Sequence, residues 1–250
     1  MLEINEKGID CMESFIEFKN RIYSFEKISI LDNLQELVVN SGVADKVNFD
    51  GSIKDFYGDT VVFELSENEK KLISMLQDIL YSNCNKYLSE RLPIATLHMT
   101  LHDLNNNSNY KVIEDTIIKN RNKMNNIFHR LSNINQQEAI KMKKSYVFNL
   151  VNTSIVLGLE PIDDDNYNRL IYLYNKFEEV KKLDYPLTPH ITLAYFRNKD
   201  IDYVGIEILK RTIEEMNKYK LEINLELKNL SYKYFYSMIE YKKVLNISSR

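Results

Sequence analysis

The chain has 250 residues, with 33 basic and 36 acidic side chains and a formal net charge of −3. This balance is atypical of proteins that grip long nucleic acids, which carry a strong positive excess, but local basic clusters still allow a small or single-stranded phosphate substrate. Six glycines and four prolines exclude a collagenous or Pro/Gly-rich disordered chain. Two cysteines, Cys11 and Cys84, give neither a disulfide framework nor a zinc ribbon.

The sequence shows no targeting or membrane signal. Its first residues lack the basic-then-apolar pattern of a signal peptide, and no apolar run approaches the roughly 18–20 residues that a membrane helix requires. We therefore expect a cytoplasmic protein with no membrane association and no obligate protein partner. The length suits one large domain or two small lobes.

The first 57 residues have the weakest pattern, and we treat them as an N-terminal extension of unknown role. Two short helices are predicted there, over residues 10–26 and 28–39. Residues 40–42 and 50–52 are typical of turns because they combine Asn, Asp, Ser and Gly.

A first series of elements begins at residue 58. β-Branched and aromatic residues predict a strand over 60–65. Ser66 and Glu69 form a capping box, which predicts a helix that runs to about residue 90. A strand over 94–104, a helix over 110–131 and a strand over 139–150 follow.

A second series repeats this order from residue 152. It comprises a strand over 153–159, a helix over 166–182 with Asp163 available as its cap, a strand over 190–196 and a helix over 203–219. Strands over 221–227 and 230–244 end the chain. Corresponding strands lie about 92 residues apart, and two long copies indicate two lobes.

The predicted fold is therefore α+β, with two pseudo-symmetric lobes. Each lobe is expected to be a mostly antiparallel sheet with helices on its outer face, and a cleft lies between the lobes. We assign residues 58–151 to the first lobe and 152–250 to the second.

Two of the four histidines occur in matching tetrapeptides. The first is His98-Met99-Thr100-Leu101, and the second, 92 residues later, is His190-Ile191-Thr192-Leu193. Strand residues i and i+2 point to the same face, so each tetrapeptide presents an imidazole and a hydroxyl on one side. If the lobes meet about a pseudo-two-fold axis, the two polar pairs face each other across the cleft.

This arrangement suits phosphodiester chemistry. Phosphoryl transfer uses a base on the attacking oxygen and an acid on the leaving oxygen, and imidazole titrates near pH ~6.5, so one neutral and one protonated histidine can coexist. Threonine hydroxyls can donate to the non-bridging oxygens. The scheme makes His98 and His190 catalytic and Thr100 and Thr192 phosphate-binding, and it needs no metal or other cofactor.

The two tetrapeptides resemble the paired His-x-Thr-x motifs of the 2H phosphoesterase superfamily. That group includes bacterial 2′-5′ RNA ligase-like proteins and 2′,3′-cyclic nucleotide phosphodiesterases. The stretch 185–194 is similar to its second motif, and the resemblance covers about residues 58–244. It implies a bilobal α+β fold and an active site of two histidines and two threonines. The expected substrate is an RNA end or a small nucleotide with a 2′,3′-cyclic phosphate or a 2′-5′ linkage.

His102 is a further candidate for substrate binding. Strict alternation places it on the same strand face as His98 and Thr100, although its counterpart in the second copy is Ala194. His102 could line the cleft or bind phosphate, or it could be a packing or solvent-exposed histidine, and symmetry does not require a catalytic role for it.

Three residues after the second motif are also candidates. Tyr195 and Phe196 could stack on a base, with core or rim packing as the alternative, and alternation favours Phe196 because it shares the face of His190. Arg197 is the best candidate for a phosphate contact because it closely follows the motif strand.

Other interpretations remain open. His98, His102, Asp103 and His190 could hold a metal ion, although their spacing is not a usual ligand pattern. A cysteine nucleophile has no motif around either cysteine. A module that binds nucleotides or RNA ends without turnover would keep the cleft, but it would not need two titratable imidazoles.

Overall fold

The computed structural model describes residues 13–28, 31–134 and 138–247. The helices in these ranges are α1 (Phe15–Ile28), α2 (Glu67–Cys84), α3 (Tyr110–Ser132), α4 (Asp164–Glu178) and α5 (Tyr203–Asn217). The strands are β1 (Glu36–Leu37), β2 (Asp55–Glu64), β3 (His98–Asn107), β4 (Ile140–Leu150), β5 (Ser154–Pro161), β6 (His190–Tyr195), β7 (Ile201–Asp202), β8 (Glu222–Leu225), β9 (Leu230–Ser237) and β10 (Glu240–Asn246).

Two four-stranded antiparallel sheets form the frame, in the orders β10-β9-β2-β3 and β6-β5-β4-β8. The predicted α+β architecture of two sheet-based lobes is confirmed. The motif strands β3 and β6 are edge strands of their sheets, and Cα atoms of the two strands approach within 8 Å of each other. The two sheets therefore meet along the strands that carry the histidines.

The sheets do not follow the two halves of the sequence. β4, which we assigned to the first lobe, pairs with β5 and β8 in the second sheet, and β9 returns from the C-terminal half to pair with β2. A division at residue 151 therefore cuts the tight turn between β4 and β5 and does not separate the sheets. The exchange has a physical reason, since neighbouring antiparallel strands with a short connection pair with each other.

Helices α2 and α4 each pack across to the opposite motif strand. α2 follows β2 in the first sheet but contacts β6, while α4 follows β5 in the second sheet and contacts β3. One continuous cluster of buried apolar residues runs through both halves, including Phe63, Leu101, Phe177 and Leu193. The two lobes thus share a core, which holds β3 and β6 in fixed relation.

The N-terminal extension is folded onto this frame. Phe18 and Ile22 of α1 pack against Tyr146, Phe148 and Tyr167 on the second sheet and α4. The predicted helix over 28–39 is wrong for the residues that the structure describes. Its C-terminal part forms strand β1, which pairs with β7, because buried side chains alternate there.

Most other elements differ from prediction only at their ends. The capping box at Ser66 is confirmed, but α2 ends at Cys84 and a 3₁₀ turn follows. The predicted strand over 94–104 begins at His98, after a 3₁₀ turn, and the strand over 230–244 is a hairpin of β9 and β10. Residues 10–12 of the first predicted helix lie outside the described residues. No helix in the described ranges is long and apolar enough to cross a membrane.

Candidate active site

A cleft of about 590 Å³ opens where β3 and β6 meet. His98, Thr100, His190 and Thr192 all line it. The expectation that both polar pairs reach one cleft is met, because the two motif strands are neighbouring edges. One volume therefore holds two imidazoles and two hydroxyls.

The two imidazoles are held in the same way. Nδ1 of His98 donates to the carbonyl of Thr96 at 2.6 Å, and Nδ1 of His190 donates to the carbonyl of Thr188 at 2.7 Å. A carbonyl oxygen can only accept, so the proton of each neutral ring sits on Nδ1 and the lone pair is on Nε2. Each Nε2 is thus available to accept a proton or, once protonated, to give one.

Enclosure favours the neutral form of both rings. Burial lowers the pKa of His98 to about 4, against the opposing effects of its hydrogen bond to Thr96 and the carboxylate of Asp103. Lys233 and a charged His190 lower the pKa of His98 further. Burial also lowers the pKa of His190, and here too the hydrogen bond to the backbone and Asp103 oppose it.

A β-bulge in each motif strand changes which residues follow the threonine into the cleft. Leu101 and Leu193 have no partner in the strand register, so each strand shifts by one residue after its tetrapeptide. Asp103 and Tyr195 consequently line the cleft as equivalent positions, 92 residues apart. Strict alternation fails at these two sites.

Because of this shift, the candidate residues His102 and Phe196 do not line the cleft, and packing is the outcome for both. Phe196 is fully buried in the core and does not line the cleft. His102 is buried on the opposite face of β3, where Nδ1 donates to the carbonyl of Asp103 and Nε2 lies 2.9 Å from Glu178 Oε1. It therefore cannot share a metal ion with His98 and His190. In the described residues, no group of three histidine, cysteine or acidic side chains is arranged to hold a metal.

Arg197 also lies away from the cleft, contrary to the prediction. Its guanidinium donates to the carbonyls of Leu88 at 2.8 Å and Asn85 at 3.3 Å, which follow the end of α2. The chain after β6 turns back toward this segment. The Arg197 side chain therefore ties the end of β6 to the residues that follow α2, and it does not point into the cleft. Cys84 is buried with Sγ against Thr212, and Cys11 lies outside the described residues.

The N-terminal extension supplies cleft residues that the sequence did not reveal. Arg21, Phe25, Lys46 and Phe56 all line the cleft. Tyr241 of β10 lines it as well, with its ring edge-on to His98 at 4.9 Å between centroids. The site is thus completed by segments that flank both copies of the repeat.

Comparison with solved structures shows the fold in another protein. The chain is similar to ATU0111, a conserved protein of unknown function from Agrobacterium tumefaciens str. C58, with 16% identity over 90% of this chain and 99% of that one and a TM-score of 0.59. TT0787 of Thermus thermophilus matches with 15% identity, over 77% and 99% of the two chains, at a TM-score of 0.47. E. coli LigT in its apo form matches with 11% identity, over 77% and 96%, at a TM-score of 0.45.

No protein-family model and no curated protein matches the sequence. At 16% identity, the match to ATU0111 concerns the fold alone. The function is therefore argued from the residues of the cleft.

One sequence signal for the site was overlooked. Thr96 and Thr188 precede the two histidines by two residues, so the repeated pattern is Thr-x-His-x-Thr. Both threonines line the cleft, and their carbonyls orient the imidazoles. Lys46 and Arg21 had no such signal, because they lie outside the repeat.

Proposed function

We propose that the protein is a 2H-type phosphodiesterase that hydrolyses a 2′,3′-cyclic phosphate or a 2′-5′ linkage on an RNA end or a small nucleotide, without a metal. The observation that carries this proposal is the matched pair of imidazoles in one cleft, each with Nδ1 bound to a carbonyl and Nε2 available. A site that only bound a nucleotide would not require two histidines with the same fixed tautomer. General acid–base catalysis requires it.

We assign the base to His98 and the acid to His190. Lys233 lowers the pKa of His98 in addition to burial, whereas the causes that shift the pKa of His190 include no cation from the described part of the chain. His98 Nε2 removes a proton from the attacking water as its oxygen bonds to phosphorus. The bond from phosphorus to the leaving ribose oxygen breaks, and His190, protonated when the anionic substrate is bound, gives its proton to that oxygen.

The two threonines stabilise the negative charge on the phosphate. Thr100 and Thr192 lie two residues after the histidines, on the same strand face, so their hydroxyls can donate to the two non-bridging oxygens. Hydrogen bonds to a charged oxygen are worth about 1.5–3 kcal/mol each. The products are a phosphate monoester and a free hydroxyl, and the two histidines exchange protons with solvent to reset.

The test is a turnover screen in excess EDTA with 2′,3′-cyclic, 3′,5′-cyclic and 2′-5′-linked substrates. We expect turnover of a 2′,3′-cyclic or 2′-5′-linked compound, loss of it in His98→Ala, and retention in His129→Ala, whose side chain is exposed on α3. Binding without turnover of any compound would favour the nucleotide-binding module. Activity that EDTA abolishes and Zn²⁺ or Mn²⁺ restores would contradict the metal-free scheme.

A further inference from the structure

Lys46 places a cation in the cleft that no described residue neutralises by contact. It comes from the N-terminal extension, just after the 3₁₀ turn Ser41–Asp45. Its ammonium lies over the rings of Phe56, at 5.2 Å from the centroid, and Tyr195, at 5.6 Å. Within the described ranges the ammonium makes no hydrogen bond or ion pair closer than 4 Å.

The other cationic side chain that lines the cleft, Arg21, already donates to groups of the protein. Arg21 forms a bidentate pair with Glu13 and donates to the carbonyl of Leu187 and the hydroxyl of Thr188. Two basic residues line the described cleft, Arg21 and Lys46. Of these, Lys46 is the one whose N–H donors remain available to a ligand. Two aromatic faces hold the ammonium in place without consuming its three N–H donors.

The surroundings of Lys46 favour the entry of an anion beside its ammonium. Burial lowers the pKa of the Lys46 ammonium, and the carboxylates of Asp103 and Asp45 only partly oppose this effect. A partly desolvated ammonium gains most from an anion that enters beside it. A phosphate provides such an anion and can accept from several of its N–H groups.

Lys46 is placed away from the reacting phosphate. His98 pairs with Glu64, the last residue of β2, and His190 is the first residue of β6. The two rings under the Lys46 ammonium lie at the opposite ends of these strands, Phe56 near the start of β2 and Tyr195 at the end of β6. The ammonium therefore lies beyond the threonine end of the motif, at a distance from the imidazoles.

We propose that Lys46 binds a second phosphate of the substrate, distinct from the one that reacts, so that nucleotides and oligonucleotides with at least two phosphates are preferred. This inference rests on the proposed function for the identity of the reacting phosphate. It gives the N-terminal extension a role in substrate selection. It also accounts for a lysine in the cleft that makes no hydrogen bond or ion pair with the residues that the structure describes.

The experiment compares two matched ligand pairs on the full chain. Turnover is measured for a nucleoside 2′,3′-cyclic phosphate with and without a 5′-phosphate, and calorimetric affinity is measured for the nucleoside 3′-monophosphate and 3′,5′-bisphosphate. The variants are Lys46→Met, which keeps an apolar stem against the two rings, and Lys46→Arg, which keeps the charge. Lys54→Met is the control, because Lys54 belongs to the same segment but donates to the carbonyl of Ala44.

We expect the parent and the Lys54→Met variant to prefer the 5′-phosphorylated substrate and the bisphosphate. Lys46→Met should reduce both preferences roughly tenfold to a hundredfold, as for the loss of a charge-assisted hydrogen bond, and Lys46→Arg should restore part of them. Equal preferences in the parent and Lys46→Met would overturn the role of Lys46 while turnover still supports the proposed function. If the parent turns over neither substrate but its affinity for the bisphosphate depends on Lys46, the proposed function fails and the second phosphate site stands.

Discussion

One hydrogen bond orients the ring of each candidate catalytic histidine. It joins the imidazole to a backbone carbonyl just before the histidine's own strand. The carbonyl two residues earlier accepts from Nδ1, which fixes the tautomer and leaves Nε2 toward the chemistry. The bond depends on backbone geometry before β3 and β6, and each segment carries a proline that restricts it: Pro93 before the 3₁₀ turn and Pro189 directly before His190. The same local device therefore appears twice, 92 residues apart.

Removal of either imidazole should abolish most turnover. His98→Ala and His190→Ala should each reduce kcat at least ~10²-fold, since each removes a general acid or base. The double variant should cost little more than the worse single one, because groups that act as a unit are not additive. Steady-state kinetics of the three variants checks this, and multiplied effects in the double variant would show that the histidines act independently.

Asp103 should tune both histidines from within the cleft. Its carboxylate raises the pKa of His98 and of His190, so Asp103→Asn removes a negative charge and lowers both pKa values. Both limbs of the bell-shaped profile of kcat against pH should then move to lower pH, as macroscopic values of the pair. Limbs that stay in place would mean that Asp103 does not act on the titrating groups.

Elements outside the repeat shape the site as much as the motif strands do. Helix α1 packs on the second sheet, and its Arg21 reaches the loop that enters β6. Thr188, which receives the Arg21 donor on its side chain, is the residue whose carbonyl orients His190. α1 is therefore linked to one candidate catalytic imidazole, that of His190, through Thr188.

Arg21 should behave as a positioning residue for His190. In Arg21→Met the loop loses two donors, and the hydrogen bond from His190 Nδ1 to Thr188 weakens. That bond raises the pKa of His190, so its loss should lower the pKa and shift one limb of the kcat profile to lower pH. We expect kcat to fall ~10-fold or more, as for a small misplacement of a catalytic group, with less change in KM.

Lys19→Met is the matched control on the same helix, because the Lys19 ammonium lies over Phe15 and away from the loop. It should leave both kcat and the pH profile unchanged. Equal behaviour of the two variants would reduce the role of Arg21 to general support of α1.

The two lobes are joined by exchanged strands and crossing helices and not by a hinge. Strands are exchanged between the sequence halves, α2 and α4 cross to the opposite motif strand, and one apolar core is continuous. His102 and Glu178 add a polar link between β3 and α4, on the side of β3 away from the cleft. Glu178 also accepts from the backbone N–H of Leu183 at 3.1 Å, so the link extends to the loop before β6.

Loss of this link should destabilise the fold as a unit. His102→Ala removes a fully buried side chain and one hydrogen-bond partner of Glu178, so the free energy of unfolding should fall by about 2–3 kcal/mol. His129→Ala, at an exposed site on α3, should change it by less than ~0.5 kcal/mol. Urea unfolding of both variants measures this, and a His102→Ala protein as stable as the parent would show that the link contributes nothing.

The sequence alone determined the local structure and the core of the site. Ser66 with Glu69 specified the start of α2, Asp163 capped α4, and the 92-residue offset identified His98 and His190 as a pair. These features depend on contacts within a few residues of the chain, or on a pattern that repeats, and both are visible in a single sequence.

Only the tertiary structure decided which other side chains reach the cleft. A β-bulge depends on the partner strand, and a shift of one residue moves every later side chain to the opposite face, so His102 and Phe196 turned inward while Asp103 and Tyr195 turned to the cleft. The entry of Lys46 and Arg21 likewise depended on the docking of residues 13–28 and 31–57 onto the sheets. Contacts between residues 41 positions apart, as for Val61 and His102, or 167 apart, as for Arg21 and Thr188, set these positions, and no local pattern records them.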